Sequence, residues 1–309
     1  MTGFLQAEVI TSETELEPEE EEVDWQEGDI RYEGDIYRYN DDILTFMFLG
    51  IDKMQEAQTV GDETKGGQSD AIFLLVLNPH SEQVSILAIP RDTIADVDVY
   101  SKEGTYLGVV QAQLTLQHAY GDGGKLSCER TQTAVSRLLY DLPINGYCSI
   151  NMGGIPLLND AIGGVEVTAL QDVIKSNIKK GDQILLKGND AYAYVHNRDL
   201  SEFASAEDRL ARQKQYITAY LTKAKAAMKE DITLPVKLYS TLSKYMFTDI
   251  SVDEVSYLAT RMGDYSFNGD NIHTIKGVVE QEGEHEGFYV DEQELYELIL
   301  ELFYDKIST

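Results

Sequence analysis

Two aspartates stand at the ends of apolar segments, where an ion or a charged ligand could bind. Asp52 directly follows the apolar run 43–51, and Asp70 directly precedes the next one, 71–77. Strand ends lie on the rim of a sheet, where ligands collect. Carboxylate oxygens suit a hard divalent cation, and phosphate oxygens and water could complete its octahedron. The pair is therefore a candidate metal site, although a single aspartate in such a place is more often a loop or capping residue.

Arginines are concentrated in one segment of a chain that is poor in them. The segment HNRDLSEFASAEDRLARQ at 196–213 contains Arg198, Arg209 and Arg212. Guanidinium groups bind phosphate oxygens through paired hydrogen bonds. Arg209 and Arg212 are three residues apart, so they project from one helix face near an N-terminus, which itself favours anions. The alternative is a solvated helix face on which the two preceding acidic residues pair with these arginines.

A third group of charges, IPRD at 89–92, ends another apolar run. Pro90 has no amide hydrogen, so it ends the strand ladder there. Arg91 and Asp92 could be no more than a surface ion pair, but a hairpin would bring them to the rim that holds the two aspartates. Together the three groups would form a cation site of carboxylates and an anion site of guanidiniums on one rim of the sheet. This layout suits phosphoryl transfer.

The sequence lacks the motifs of several other chemistries. It contains no P-loop and no GxGxxG. The absence of HExxH and CxxC argues against a zinc enzyme, and that of GxSxG against a covalent hydrolase. Its two cysteines, Cys128 and Cys148, have no convincing histidine partner. They are either two free buried thiols or a disulfide, and the sequence leaves both possibilities open.

The charge balance excludes further classes of function. Twenty-five lysines and arginines against 54 aspartates and glutamates give a formal net charge of −29. Such a chain does not bind nucleic acid by bulk electrostatics, and no helix-turn-helix pattern is present. No apolar run is long enough to span a bilayer, and the N-terminus lacks the features of a signal peptide. Any phosphate chemistry must therefore use a few basic residues gathered at one place.

The elements that would position these residues can be predicted from apolar patterns. Three mostly apolar runs, ILTFMFLGI, AIFLLVL and VSILAI, have the length of buried strands, and the turn at 78–80 predicts an antiparallel hairpin. The longest helical pattern covers 207–229. Helices are also predicted over 111–121 and from an N-cap at Ser127 to about Leu139. This alternation predicts an α/β fold, an α-β-α layered domain with a central mixed sheet flanked by helices.

Composition divides the chain into three parts. Residues 1–29 are strongly acidic and contain few apolar residues, so they are predicted to form a disordered linker. Residues 30–230 contain every candidate site residue and are predicted to form the catalytic domain. Residues 231–309 are predicted to be a C-terminal helical continuation of the same domain.

Seven segments in order resemble the LytR-CpsA-Psr family of cell-envelope phosphotransferases. They cover roughly residues 43–225, and the ordered set is specific although each segment is short. The segments are LGID at 49–52, SDAIFLLVLNP at 69–79, VSILAIPRDT at 84–93, HAYG at 118–121, LLNDAIGGVEV at 157–167, AYAYVHNRD at 191–199 and RLARQKQY at 209–216.

The resemblance implies transfer of a glycopolymer from a polyprenyl-pyrophosphate carrier to a muramyl hydroxyl of peptidoglycan, leaving a phosphodiester. It implies that Asp52 and Asp70 hold Mg²⁺ and that the prenyl tail lies in an apolar groove between sheet and helices. It also implies an N-terminal membrane anchor, which this chain does not contain, and a domain on the extracytoplasmic face of the cell membrane. That setting favours a Cys128–Cys148 bridge. The residues expected to bind the pyrophosphate are Arg91, Arg198, Arg209, Arg212 and Gln213.

The chain departs from the family pattern at several positions near the expected phosphate. Gln68, Gln113 and His196 stand where basic residues are usual, and Ala206 stands where an aspartate is frequent. His196 could replace a positive charge only when protonated. These losses predict a different donor, or slow turnover, or a module that binds or senses the carrier with little or no turnover.

The proton acceptor and the regulatory interpretation stay open at the sequence level. Asp92 and Asp199 are the candidate general bases, because both lie within the matching motifs. A role in transcriptional attenuation, which the family name also carries, would not involve direct DNA contact given the net charge.

Overall fold

A computed structural model of the chain describes residues 26–199, 201, 205–282 and 285–307. The linker predicted at 1–29 therefore lies outside the described residues except for its last four positions. The strands within the described ranges are β1 (Ile30–Tyr32), β2 (Asp35–Tyr39), β3 (Leu44–Ile51), β4 (Ser69–Asn78), β5 (Gln83–Ile89), β6 (Ile94–Tyr100), β7 (Tyr106–Gln113), β8 (Gly146–Asn151), β9 (Val165–Thr168), β10 (Gln183–Leu186), β11 (Met246–Thr248), β12 (Ile272–Thr274), β13 (Gly277–Glu282), β14 (His285–Val290) and β15 (Tyr304–Lys306).

The α-helices of the same ranges include one that is much longer than the others. At 26 residues, α5 is about 39 Å long at the usual rise per residue. The helices are α1 (Thr115–Ala119), α2 (Lys125–Leu138), α3 (Ile155–Ala161), α4 (Asn189–His196), α5 (Ser205–Glu230), α6 (Leu234–Leu242), α7 (Val252–Arg261) and α8 (Glu292–Phe303).

A six-stranded mixed sheet forms the centre of the fold, in the order β11-β8-β3-β4-β5-β12. Strands β3, β4 and β5 are consecutive antiparallel neighbours, as the hairpin prediction required. Strands β8 and β12 join the two sides of this unit in parallel. The prediction of a central mixed sheet is confirmed.

Alternate residues of each central strand face two different helical layers. On β4, Ile72 and Leu74 belong to the core shared with α2 and α8. Phe73, one residue away, faces the opposite side and packs with Leu210 and Ile217 of α5. Because successive side chains of a strand point to opposite faces, a continuous apolar run is what a sheet covered on both faces needs. The α-β-α layering predicted from these runs is confirmed.

The strand register brings three strand ends to one edge of the sheet. Ile51, the last residue of β3, lies opposite Ser69, the first of β4. Ile72 of β4 lies opposite Ile89, the last residue of β5. Residues that follow β3 and β5 and residues that begin β4 therefore share one rim, and this rim carries the candidate site.

Two helix predictions are wrong in detail. Residues 106–113 form β7, so the segment predicted as a helix over 111–121 contains only the short α1. Strand β7 is mostly exposed and pairs with β6, and neither strand joins the central sheet, so neither needs the continuous apolar run of a strand covered on both faces. Helix α2 begins at Lys125 after Gly124 rather than after Ser127. The Ser127 hydroxyl instead accepts a hydrogen bond from the amide of Gly123.

The C-terminal segment contributes to the sheet and to the core as well as providing helices. Its strand β12 pairs with β5, and β15 pairs with β2 near the start of the described chain. Leu295 and Phe303 of α8 are buried in the core beside the central sheet. The interpretation of 231–309 as a continuation with helices and short strands does not locate the individual strands β11–β15, because runs of three to six residues carry little periodicity.

The two cysteines are free and buried, so the disulfide expected from the resemblance is wrong for this structure. Cys128 lies on α2 and Cys148 on β8, and both are part of the packed interior. Burial raises the pKa of each thiol to about 12. The thiols therefore stay protonated at neutral pH and behave as small apolar side chains.

Candidate functional site

The two candidate metal ligands lie together on the rim and are joined by a histidine. Asp70 is buried at the start of β4, whereas Asp52 is exposed after β3. The His196 Nε2 atom lies 3.2 Å from Asp52 Oδ1 and 4.0 Å from Asp70 Oδ2. One ligand atom from each of the three residues lies within 4.8 Å of the other two. The sequence predicts His196 near the phosphate, and no pattern in it marks this residue as a metal ligand.

Asp70 is held between two guanidinium groups. Arg91 Nη1 donates to its Oδ1, and Arg209 Nη1 lies 3.2 Å from its Oδ2. The side chains of Asp70 and Arg209 are each only 4% exposed. The charges of this pair are therefore poorly screened by solvent, and the carboxylate fixes both guanidiniums at the rim.

Arg91 connects Asp70 to two other predicted site residues. Its Nη2 donates to Gln68 Oε1 at 2.8 Å, and its Nε donates to Asp92 Oδ1 at 3.2 Å. Gln68 therefore acts here as an acceptor for a guanidinium. The arginine that the family pattern usually has at this position would instead add a second positive charge.

The positive charges of the site are close enough to repel one another. The pKa of Arg91 is lowered to about 10, mainly by burial; the charges of Arg209 and Arg198 act in the same direction, and Asp92 opposes the change. Burial also lowers the pKa of Arg209 to about 10, with repulsion from Arg198 as the next cause. Electrostatic repulsion thus links Arg91 to Arg198 and Arg209, which belong to a different segment of the sequence. At neutral pH Arg91 and Arg209 remain charged, because their pKa values are well above 7.

Arg212 and Gln213 face the end of helix α4. Arg212 donates to the carbonyls of Tyr194 and Asn197, and Gln213 Nε2 donates to the carbonyl of Val195 at 3.0 Å. These carbonyls belong to the last turn of α4 and the residue after it, where helical partners are missing. The structure thus places both side chains so that they fix the helix end that carries His196. Their predicted contact with the pyrophosphate stays a prediction.

The remaining predicted residues make contacts with groups other than Asp70. Asp199 Oδ1 accepts hydrogen bonds from the amide and the hydroxyl of Ser201, in a local turn. Gln113, at the end of β7, donates to the carbonyl of Glu286 at 2.7 Å. Asp92 is buried beside Arg91 and lines the same pocket as Asp70.

The HAYG segment braces the loop that leads into Asp70, a role that the sequence did not indicate. His118 is fully buried, and its Nδ1 donates to the carbonyl of Gly67 at 2.9 Å. The amide of Gly66 donates to the carbonyl of Ala119 at 3.0 Å. The hydroxyl of Thr115 donates to the carbonyl of Ser69 at 3.0 Å. These bonds fix the backbone immediately before Asp70.

An apolar groove of about 610 Å³ opens beside the two guanidiniums that hold Asp70. It lies between the central sheet, α5 and the β13–β14 hairpin. Asp70, Arg91 and Arg209 stand among its lining residues, and Lys214 and Lys276 also reach it. The apolar part of the lining includes Ala71, Ile89, Leu210, Ile275, Val279 and Phe288. A ligand with an anionic head and a long apolar tail matches this surface.

None of the helices in the described ranges combines the length and apolar character that crossing a bilayer requires.

Comparison with protein families and curated proteins gives consistent matches. The model of the LytR_cpsA_psr family matches residues 4–302. A polyisoprenyl-teichoic acid–peptidoglycan teichoic acid transferase TagU of Halalkalibacterium halodurans is 29% identical over 194 residues, which are 62% of this chain and 58% of that protein. The TagU of Enterococcus faecalis is 27% identical, with 71% of this chain and 66% of that protein covered. The chain thus spans less than two thirds of the length of these relatives.

Solved structures share the fold. The crystal structure of B. subtilis TagV has a TM-score of 0.65 and 24% identity, covering 85% of this chain and 96% of TagV. A structure described as TagT bound to LI-WTA has a TM-score of 0.63 and 22% identity, covering 85% and 90%. At these identities the structural likeness establishes the α-β-α architecture.

Proposed function

This chain belongs to the LytR-CpsA-Psr family, and from that premise we propose that it transfers a glycopolymer from a polyprenyl-pyrophosphate carrier to peptidoglycan, forming a phosphodiester. The single observation that carries the proposal is the place of Asp70. It holds the buried guanidinium of Arg209 and the partly buried guanidinium of Arg91 at the mouth of a 610 Å³ apolar groove. The guanidiniums suit an anionic head, and the adjoining groove suits a prenyl tail.

The pyrophosphate would bind at the guanidiniums. Arg91, Arg198 and Arg209 together supply positive charge and hydrogen-bond donors in a chain whose net charge is −29. Charge-assisted hydrogen bonds to phosphate contribute about 1.5–3 kcal/mol each. Because Asp70 already fixes two of these side chains, little side-chain entropy is lost when the ligand binds.

The prenyl tail would lie in the apolar groove. Burial of each methylene there contributes about 0.8 kcal/mol, and this contribution is independent of the head group. Leu210, one residue after Arg209, lines the groove, so a single helix turn contacts both parts of the carrier. The tail would therefore place the pyrophosphate reproducibly against the arginines.

Asp52 and Asp70 are the residues that would hold a divalent cation, and Mg²⁺ is the ion that the family resemblance implies. Their oxygens suit such a hard ion chemically, and the Asp52 side chain is 57% exposed. When bound, such an ion neutralises charge on the pyrophosphate. His196 Nε2 is a third potential ligand atom beside the two carboxylates.

In the proposed reaction a muramyl hydroxyl oxygen forms a bond to the phosphorus that carries the glycopolymer. The bond from that phosphorus to the bridging oxygen breaks, and polyprenyl phosphate leaves. Arg91 and Arg209 stabilise the negative charge that develops on the bridging oxygen. The hydroxyl proton passes to a carboxylate, for which Asp92 is better placed than Asp199. Asp92 lines the groove, whereas Asp199 accepts two bonds from Ser201.

A binding or sensing module with little turnover is the second candidate, and one observation favours it. Gln68 and His196 stand at positions where the family resemblance leads us to expect arginines. Two positive charges fewer around the phosphorus would stabilise the transition state less. Reduced activity therefore belongs to the proposal, as do a membrane anchor and an extracytoplasmic location.

Incubation of the chain with a divalent cation, a prenyl-pyrophosphate-linked saccharide and a muropeptide tests the proposal. Transfer predicts polyprenyl phosphate and a saccharide–muropeptide phosphodiester in equal amounts. Carrier retained without product would support the binding module instead. Neither product nor binding would contradict both.

A further inference from the structure

We propose that His196 is a third ligand of the cation site, which gives the site a preference for a first-row transition ion such as Mn²⁺ over Mg²⁺. The inference rests on the cation site of the proposed function and concerns which ion that site selects. Its basis is the orientation of one imidazole, which hydrogen bonds fix from the side away from the carboxylates.

The orientation of Asn197 determines which ring nitrogen of His196 carries hydrogen. Asn197 Nδ2 donates to the carbonyl of Ile174 at 2.9 Å. Exchange of the amide nitrogen and oxygen of Asn197 would place Oδ1 against that carbonyl oxygen, so the amide has one orientation. Asn197 Oδ1 therefore faces His196 Nδ1, at 3.2 Å. An oxygen there requires Nδ1 to be the donor. In the neutral imidazole the other nitrogen, Nε2, then carries a bare lone pair.

That lone pair points at two carboxylates. Nε2 lies 3.2 Å from an oxygen of Asp52 and 4.0 Å from an oxygen of Asp70. A lone pair facing carboxylate oxygens is repulsive unless a cation lies between them or Nε2 is protonated. Histidine ligands of metals characteristically donate their second ring nitrogen to an acceptor, which fixes the tautomer. Asn197 provides that acceptor here.

The spacing and the rigidity of the group are suitable for chelation. Two ligands of an ion at about 2.1 Å are separated by about 3–4 Å, according to whether they are adjacent or opposite. The measured separations of 3.2 and 4.0 Å fall in that range. The imidazole stacks on Tyr192 with ring centroids 4.7 Å apart. Arg212 and Gln213 hold the carbonyls of the helix end beneath it.

The donor set determines the choice of ion. Mg²⁺ prefers oxygen ligands and retains its water, whereas the divalent ions of the first transition row gain affinity from an imidazole ligand, least for Mn²⁺ and more for the ions after it. One imidazole with two carboxylates therefore raises affinity for Mn²⁺ more than for Mg²⁺. The alternative is an imidazolium at His196 that pairs with Asp52 and keeps a transition ion away. The two alternatives differ in whether nitrogen is bound to the ion.

The test measures metal coordination in the absence of any lipid. The chelator-treated full chain is titrated with Mn²⁺, free Mn²⁺ is followed by its paramagnetic resonance, and the bound ion is examined by pulsed resonance for coupling to nitrogen. We expect nitrogen coupling in the unaltered chain and its loss in His196→Ala. The substitution should weaken Mn²⁺ binding by about 10-fold or more and leave Mg²⁺ binding, measured by competition, within about twofold.

His80→Ala is the matched control. His80 also contacts two aspartates, Asp42 at 2.9 Å and Asp305 at 3.4 Å, but through different ring nitrogens. The two carboxylates therefore lie on opposite sides of that ring and cannot share an ion with it. The control should retain the nitrogen coupling and the Mn²⁺ affinity.

Bound Mn²⁺ without nitrogen coupling, or Mn²⁺ and Mg²⁺ affinities that change equally in His196→Ala, would overturn the inference and leave the transfer function standing. If the transfer assay fails while the nitrogen coupling is present, the transfer function is contradicted and the assignment of His196 as a metal ligand stands.

Discussion

Replacement of Arg209 by glutamine should weaken binding of the carrier's anionic head and leave binding of its apolar tail unchanged. The side chain is 4% exposed and donates to Asp70 at 3.2 Å, at the mouth of the apolar groove. Glutamine retains a donor at this position but removes the charge. Asp70 keeps its bond to Arg91, so no carboxylate is left without a partner in the variant.

The expected loss of affinity follows from the charges around Arg209. A charge-assisted hydrogen bond contributes about 1.5–3 kcal/mol, and the low exposure of the site limits solvent screening. Repulsion among the three guanidiniums, which contributes to the low pKa of Arg91 and Arg209, is relieved in the variant and offsets part of the loss. We therefore expect about 2 kcal/mol, or a roughly 30-fold higher Kd for a prenyl pyrophosphate.

Calorimetric titration with a short prenyl pyrophosphate, the matching monophosphate and the prenyl alcohol measures this effect. The alcohol should bind equally to the variant and the unaltered chain, because it contacts only the groove. Arg137→Gln is the control, since Arg137 makes the same type of charge pair with Asp98, at 3.3 Å on helix α2. A folded Arg209→Gln variant with an unchanged pyrophosphate Kd would refute the assignment of this arginine to the head group.

Three further predictions concern stability and reactivity. Asp70→Asn leaves the buried guanidinium of Arg209 without its carboxylate, whereas Arg91 keeps Asp92, so urea unfolding should show a loss of about 3 kcal/mol. Burial lowers the pKa of His118 from its ordinary 6.5 to about 4. The unfolded chain therefore binds an additional proton between these values, and stability falls as the pH is lowered from 6.5 to 4. The contribution is about 3 kcal/mol, and it should be absent from the pH dependence of urea unfolding in His118→Gln. A thiol reagent should react with neither Cys128 nor Cys148 in the native chain and with both in guanidinium; rapid native reaction would contradict their burial.

The convergence of the rim could be predicted from sequence because it depends on strand length and on the order of the strands. Three apolar runs joined by a short turn and a longer loop form the antiparallel unit β3-β4-β5. In such a unit the end of the first strand, the start of the second and the end of the third share one edge. Asp52, Asp70 and Arg91 occupy these three positions. Their proximity therefore follows from local patterns alone.

The different contacts that the arginines of α5 make could not be predicted in this way. Arg209 and Arg212 are three residues apart and share a helix face, yet one meets Asp70 and the other meets the carbonyls that end α4. Which neighbour each side chain meets depends on where α4 ends, and this is a tertiary contact without a sequence pattern. The same contact brings His196 to the carboxylates, although His196 and Asp52 are 144 residues apart.

The balance of charges at the rim explains why a cation and the arginines would act together. The rim contains three carboxylates, of Asp52, Asp70 and Asp92, and three guanidiniums, of Arg91, Arg198 and Arg209. With a neutral histidine, the charges of these six groups sum to zero. A pyrophosphate diester carries two negative charges and would approach a chain of net charge −29 against long-range repulsion. A divalent cation at Asp52 and Asp70 would add the two positive charges that make the rim complementary to this ligand. Arginines alone would give the site its shape and hydrogen bonds without an attractive field. The carrier should therefore bind weakly to the metal-free chain even though every guanidinium is in place.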